Sequence, residues 1–151
     1  MLTELCMELN NWFDRDLPKL LGEVKIENGM VTGDWFSHNI QSGQYFRIIG
    51  SVFNDGVHKY TGEADEGLTD ETFIGSVRLM AVPKQVIQLA QDIENWQTQY
   101  GAQVASPFAS ESLSASSYSY SKASVSADGT GGASWQASFA SRLRPWRKTR
   151  P

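Results

Sequence analysis

Val24-Lys25-Ile26-Glu27-Asn28-Gly29-Met30-Val31 is the stretch that decides the fold. Val24 and Ile26 alternate with Lys25 and Glu27, the period of a strand with one wet face. Asn28-Gly29 readily takes the positive φ angles of a type I′ turn, whose twist matches two antiparallel strands. A hairpin is therefore predicted, with Met30, Val31 and Thr32 returning. Downstream, residues 45–53 (YFRIIGSVF) are β-rich, Asn54-Asp55-Gly56 reads as a turn, and Val57-His58-Lys59-Tyr60 returns as a second hairpin. A last strand is predicted over 72–80. Phe73, Val77 and Leu79 share one of its faces with Gly75, which marks a bulge or a close approach. Four or five strands with short turns make a small antiparallel sheet.

The period lengthens on both sides of this region. Upstream, Leu2, Leu5, Leu9, Trp12 and Phe13 recur at helical spacing, with Glu4, Glu8, Asn10 and Asn11 between them. This predicts about three turns of helix, capped by Thr3 and ended, or restarted as a short turn, by Asp14, Asp16 and Pro18. The stripe suits core packing or a subunit contact. Downstream, Pro83 opens a second helix with Val86, Leu89, Ala90, Ile93, Trp96 and Tyr100 on its apolar side and Gly101 placed to end it. The acidic stretch 63–67 between the strands reads as a solvated loop.

Beyond Gly101 the composition changes. Residues 1–104 carry 7 basic and 15 acidic residues, net −8, whereas residues 105–151 carry 6 basic and 2 acidic, net +4. The second part also holds 13 serines and few branched aliphatics, too little to build a core of its own. The expected organisation is a compact domain over 1–104 and a Ser-rich, extended, basic C-terminal arm over 105–151. Tyr118 and Tyr120 alternate with serines, so a single strand is expected there wherever an edge is offered. Trp135, Phe139, Leu143 and Trp146 then fall on one short amphipathic helix, capped by Ser134 and limited by Pro145. The fold class is thus α+β: helix, small antiparallel sheet of hairpins, helix, extended arm ending in a short helix.

Several function classes find no support. Cys6 is the sole cysteine, so neither an intramolecular disulfide nor a cysteine zinc cage forms. His38 and His58 lack a second ligand at metal spacing, and no phosphate-loop, dinucleotide, zincin or nucleophile-elbow motif occurs. No apolar run is long enough to span a bilayer. The opening MLTELCMELNNWFDRD carries acids and no basic stretch, unlike a secretion leader. The expectation is a non-enzymatic protein without cofactor or metal, made in a reducing cytoplasm. The basic terminus admits three readings. Arg142, Arg144, Arg147 and Lys148, interleaved with Trp135 and Trp146, suit a protein contact, a nucleic-acid contact through phosphates and stacked bases, or a solubilising tail.

Together ELCMELNNWFDR (4–15), VKIENGMV (24–31), QYFRIIGSVFNDGVHKY (44–60), MAVPKQVIQLAQDIENW (80–96), SPFASESLSASSYSYSKAS (106–124) and WQASFASRLRPWRK (135–148) resemble small proteins from the head–tail region of tailed bacteriophages and prophages. Ser110-Glu111-Ser112 followed by Tyr118-Ser119-Tyr120 is similar to the C-terminal segment of portal adaptors. That resemblance implies a virion protein of the neck, assembled in the bacterial host cytoplasm, in a ring, usually dodecameric, below the portal. Its partners would be the portal protein, neighbouring copies and a stopper or tail-side neck protein, with packaged DNA passing through and no membrane. Trp135, Phe139, Arg142, Leu143, Arg144, Trp146, Arg147 and Lys148 would then grip the portal, and Glu111, Tyr118 and Tyr120 would make arm-strand or ring contacts. Many portal adaptors are mostly helical, whereas this chain places hairpins between its helices. That keeps open the stopper or head-completion protein of the same neck, usually richer in β structure. A small nucleic-acid-binding protein is the rival from another class.

Overall fold

Local sequence dictates where the first helix stops. In a computed structural model, which describes residues 1–62, 66–104, 110–112, 119–121 and 134–149, α1 spans Leu2–Leu9. Asn10 takes the left-handed conformation (φ 49°) and its N–H closes on Met7 O at 3.0 Å, a conformation that asparagine tolerates better than most residues. The helix is therefore shorter than the stripe suggested, and Trp12 and Phe13 lie past its end. Thr3 is inside the helix, not its cap, and its Oγ1 accepts from Val57 N at 3.1 Å. Asp14, Asp16 and Pro18 begin a long strand, β1 (Asp14–Glu27). Pro18 falls where the register slips between Asp14 and Lys19, a place where its missing N–H is tolerated.

The remaining elements are β2 (Met30–Val31), α2 (Asp34–Asn39), β3 (Tyr45–Ile49), β4 (Gly56–Lys59), β5 (Glu71–Met80), α3 (Lys84–Val104), β6 (Ser110–Ser112), β7 (Ser119–Ser121), α4 (Trp135–Ser138), α5 (Ala140–Leu143) and a 3₁₀ turn over Arg144–Trp146. Five strands form one curled antiparallel sheet in the order β2-β1-β5-β3-β4. The first hairpin forms as expected: Glu27 pairs with Met30, and Asn28 (φ 53°) and Gly29 (φ 73°) make the turn. The second is wider, because Ile48 pairs with Gly56, β3 ends at Ile49, and residues 50–55 all belong to the connection. Gly75 is a close approach: a Cβ there would lie 2.2 Å from the carbonyl oxygen of Ile49. β6 and β7 pair with Glu111 opposite Tyr120, so the arm supplies both its own strands; Tyr118 lies outside the described residues.

Two cores result. One lies between the inner sheet face (Val24, Ile26, Phe46, Ile48, Val77, Leu79) and α2, whose Phe36 meets Phe46 edge-on with centroids 5.0 Å apart. The other joins Leu5 and Leu9 of α1 to Val86, Leu89, Ala90 and Ile93 of α3. Its third wall is the C-terminal segment, through Trp135 and Leu143, with Phe139 and Trp146 at the margin. This corrects the division at 104/105: residues 134–149 are part of the compact body. α3 also runs through Gly101 to Val104, so that glycine does not end it. Among the described residues no helix is long and apolar enough to cross a membrane.

Candidate functional site

The C-terminal segment was the candidate docking element, and its placement follows from its own residues. Ser134 caps α4, its Oγ accepting from Ala137 N at 3.3 Å. Trp135, Phe139 and Leu143 then face the α3 stripe, the nearest apolar surface that matches theirs. Leu143 is fully buried and Trp135 is 9% exposed, while Phe139 stacks edge-on against Trp96 at 6.4 Å. Trp146 meets Phe13 at 6.3 Å, and its carbonyl accepts from Asn11 Nδ2 at 3.0 Å. Lys148 N donates to Leu9 O at 3.0 Å, so the segment also satisfies a carbonyl at the end of α1. Charge reinforces the seat. Arg142 pairs with Asp92 at 2.7 Å and Arg147 pairs with Glu8. A hydrogen bond from Gln88, then one from Arg142, holds Asp92 below the usual carboxylate range. Trp135 and Leu143 are therefore core residues, contrary to their expected role as portal anchors. Docking elsewhere would open one wall of the second core. Arg144 and Lys148 remain exposed, and neither forms an ion pair with a described residue.

A second cluster lies under α1. Arg47 of β3 pairs with Asp14 at 2.6 Å, Arg78 of β5 approaches the same oxygen at 3.7 Å, and the Arg47 guanidinium sits 4.2 Å from the centroid of Trp12. Arg47 and Arg78 are directly opposite in the β3–β5 register, so one carboxylate separates two cations that the sheet forces together. Burial pushes Asp14 above its ordinary value despite Arg47 and Arg78, and it pulls Arg47 down despite Asp14. Desolvation thus outweighs attraction for both partners. Asp14 Oδ1, Arg47 Nε and Arg78 Nε have no hydrogen-bond partner among the described residues. Burial also pushes the neighbouring Cys6 thiol up to about 11, which leaves it protonated and unreactive. The cluster holds strands and helix in register and offers no free nucleophile. Among the described residues no group of three His, Cys, Asp or Glu side chains could hold a metal ion.

The third feature was not visible in the sequence. The β3–β4 connection, residues 50–55, is built around inward-pointing polar side chains. Asn54 Nδ2 donates to Thr69 O at 2.8 Å and to Glu71 Oε1 at 2.7 Å, and Asn54 Oδ1 accepts from Thr69 N at 2.8 Å. Ser51 Oγ donates to the same Glu71 oxygen and accepts from Asn54 N at 2.6 Å. Gly50 N donates to Asp55 Oδ1 at 2.7 Å. Desolvation would raise Glu71, but the donors Ser51 and Asn54 and the backbone N–H groups of Val52 and Phe53 hold it below the usual range. Asn54 therefore faces inward and is not a tip residue of a two-residue turn. The side chains left at the tip are Val52, 82% exposed, and Phe53, 68% exposed. Val-Phe read as the end of a strand, and the residue that shapes the tip, Glu71, lies far along the chain. No protein-family model, curated protein or solved structure matches this chain.

Proposed function

We propose that the chain is a structural subunit of the bacteriophage neck, one copy of an adaptor ring that joins the portal of the DNA-filled head to the tail. It performs no catalysis in this role. The resemblance over nearly the whole chain supports the reading, and one observation carries it further. On a body with two closed cores, large apolar side chains stand in water on ordered elements: Leu17 and Ile74 are each 74% exposed, beside Val52 and Phe53. Such surface suits protein–protein contacts.

The four-residue stripe no longer supplies the portal grip, because Trp135 and Leu143 are needed at home. Portal contact falls to side chains that the second core leaves exposed. The acidic balance of residues 1–104 suits a conduit that repels DNA rather than binding it. The five-stranded sheet favours a second reading, the stopper of the same neck. A neck reconstruction separates them. A dodecameric ring against the portal is expected; a hexameric ring on the tail side moves the chain to the stopper role; absence from the neck overturns both. Salt-dependent binding to bare DNA would instead support the nucleic-acid reading.

A further inference from the structure

The tip at residues 50–55 combines three properties that rarely meet by accident. It is rigid, held by the side chains of Ser51, Asn54, Asp55 and Glu71. It is apolar at its end, through Val52 and Phe53. Its base carries three acids, Asp55, Asp70 and Glu71; the charge of Arg47 acts on Asp55, and no Lys or Arg occurs at residues 48–58 or 60–77. A preordered aromatic loses little entropy when it is covered, which is the economy of an interface anchor. The acids disfavour phosphate-bearing partners, whether nucleic acid or anionic lipid, and favour an apolar surface edged by cations.

This chain carries such a surface. Half-buried Trp146 and Phe13 lie beside exposed Pro145, with Arg144 and Lys148 free of ion pairs to described residues. The two surfaces sit at opposite ends of α1. Thr3 packs at Gly56, the foot of the tip, and Leu9 binds Lys148 N. A helix of 8 residues is about 12 Å long, so a molecule cannot seat its own tip on its own basic end. We infer that the Val52–Phe53 tip of one copy docks against the Trp146–Lys148 end of a second copy. The contact is head-to-tail, so it repeats from copy to copy and closes where the rotation permits. It deepens the connector reading, on which closure into a neck ring rests.

The test uses the full chain and two variants. Val52→Ser with Phe53→Ser removes the tip and leaves the hydrogen-bonded backbone of the loop. Arg144→Glu with Lys148→Glu reverses the basic end. Sedimentation over rising concentration should show wild-type association, weakened about tenfold or more by either variant, with the charge variant the more salt-sensitive. All three should melt alike. A mixture of the two variants should form a pair that does not grow, since each contributes one intact surface. A wild type that stays monomeric throughout, a tip variant that associates normally, or two defective variants that fail to pair when mixed would each overturn the inference. Neck rings filled normally by the tip variant would overturn this contact and leave the connector reading standing. Wild-type association through these surfaces without any place in a neck would do the reverse.

Discussion

Leu143→Ala tests whether the C-terminal segment belongs to the body of the protein. Leu143 is fully buried among the side chains of α1 and α3 in the second core, which also holds Leu5, Leu9, Leu89 and Ile93. Truncating a leucine in such a setting costs ~2–5 kcal/mol, the transfer of the lost methyl groups plus the cavity they leave. Domains of this kind have ~5–15 kcal/mol in total. At roughly 2–8 °C per kcal/mol for this size range, the melting temperature should fall by at least about 4 °C. Calorimetry gives that shift, and denaturant unfolding gives a second readout. Removing residues 134–151 should lower the m-value as well, since Leu5, Leu9 and Ile93 would then be exposed before unfolding begins. Arg147→Ala is the control. Its bridge to Glu8 joins side chains 50% and 28% exposed, and such pairs contribute ~0–1 kcal/mol. If Leu143→Ala melts within about 2 °C of wild type, the segment is not a wall of the core, and the free-arm picture returns.

Three other outcomes follow from single positions. Gly75→Ala should destabilise by about 1–3 kcal/mol or more in denaturant unfolding, because its Cβ would meet a backbone oxygen, Ile49 O, at 2.2 Å; a neutral substitution would mean β3 does not cross there. Gly101→Ala should stabilise by up to about 1 kcal/mol, since α3 continues through this position and a Cβ meets nothing within 4 Å; a fall in melting temperature would place the helix end at 101 after all. Glu71 is held below its ordinary value, so the unfolded chain binds its proton more readily. Its contribution is full above the ordinary glutamate range and is lost as pH falls through the lowered value. The protection factors of the Val52 and Phe53 amides, exchange rates taken relative to the intrinsic rate at each pH, should therefore fall on acidification, and Glu71→Gln should flatten that dependence. Asp14, raised by burial, contributes with the opposite sign, because acid relieves the cost of its buried charge. Protection of the tip that persists unchanged into strong acid would refute the anchoring of the tip by Glu71.

What the sequence disclosed was local. Asn28-Gly29 announced its turn because its conformational preference resides in the two residues themselves. Pro83 and the stripe from Val86 to Ile93 announced α3 for the same reason. Gly75 signalled a close approach, although only the fold shows that Ile49 makes it. The failures were of range. α2 has 6 residues and buries only Phe36, too short a run for a period to show. β1 begins before Pro18, where edge position and a register slip allow what a central strand would forbid. The tip was unreadable because Asn54 is satisfied by Thr69 and Glu71, partners that no turn rule reaches.

The error over the C-terminal segment has a physical cause that also points forward. A charge split of −8 and +4 looks like two separate parts when the chain is laid out in a line. In three dimensions opposite charge is a reason for the parts to meet, and Arg142–Asp92 and Arg147–Glu8 are where they do. The apolar stripe of residues 135–146 lacked a cover, and α3 together with α1 supplies it. Once these pairs are made, the exposed remainder is more informative than the original composition. Arg144 and Lys148 form no ion pair with a described residue at one end of α1, although the Lys148 charge reaches Asp14, and an apolar tip beside acids stays uncovered beyond the other. The same complementarity that folds the segment onto its own domain is left half-used on the surface. A second copy in head-to-tail contact can complete it without disturbing either core.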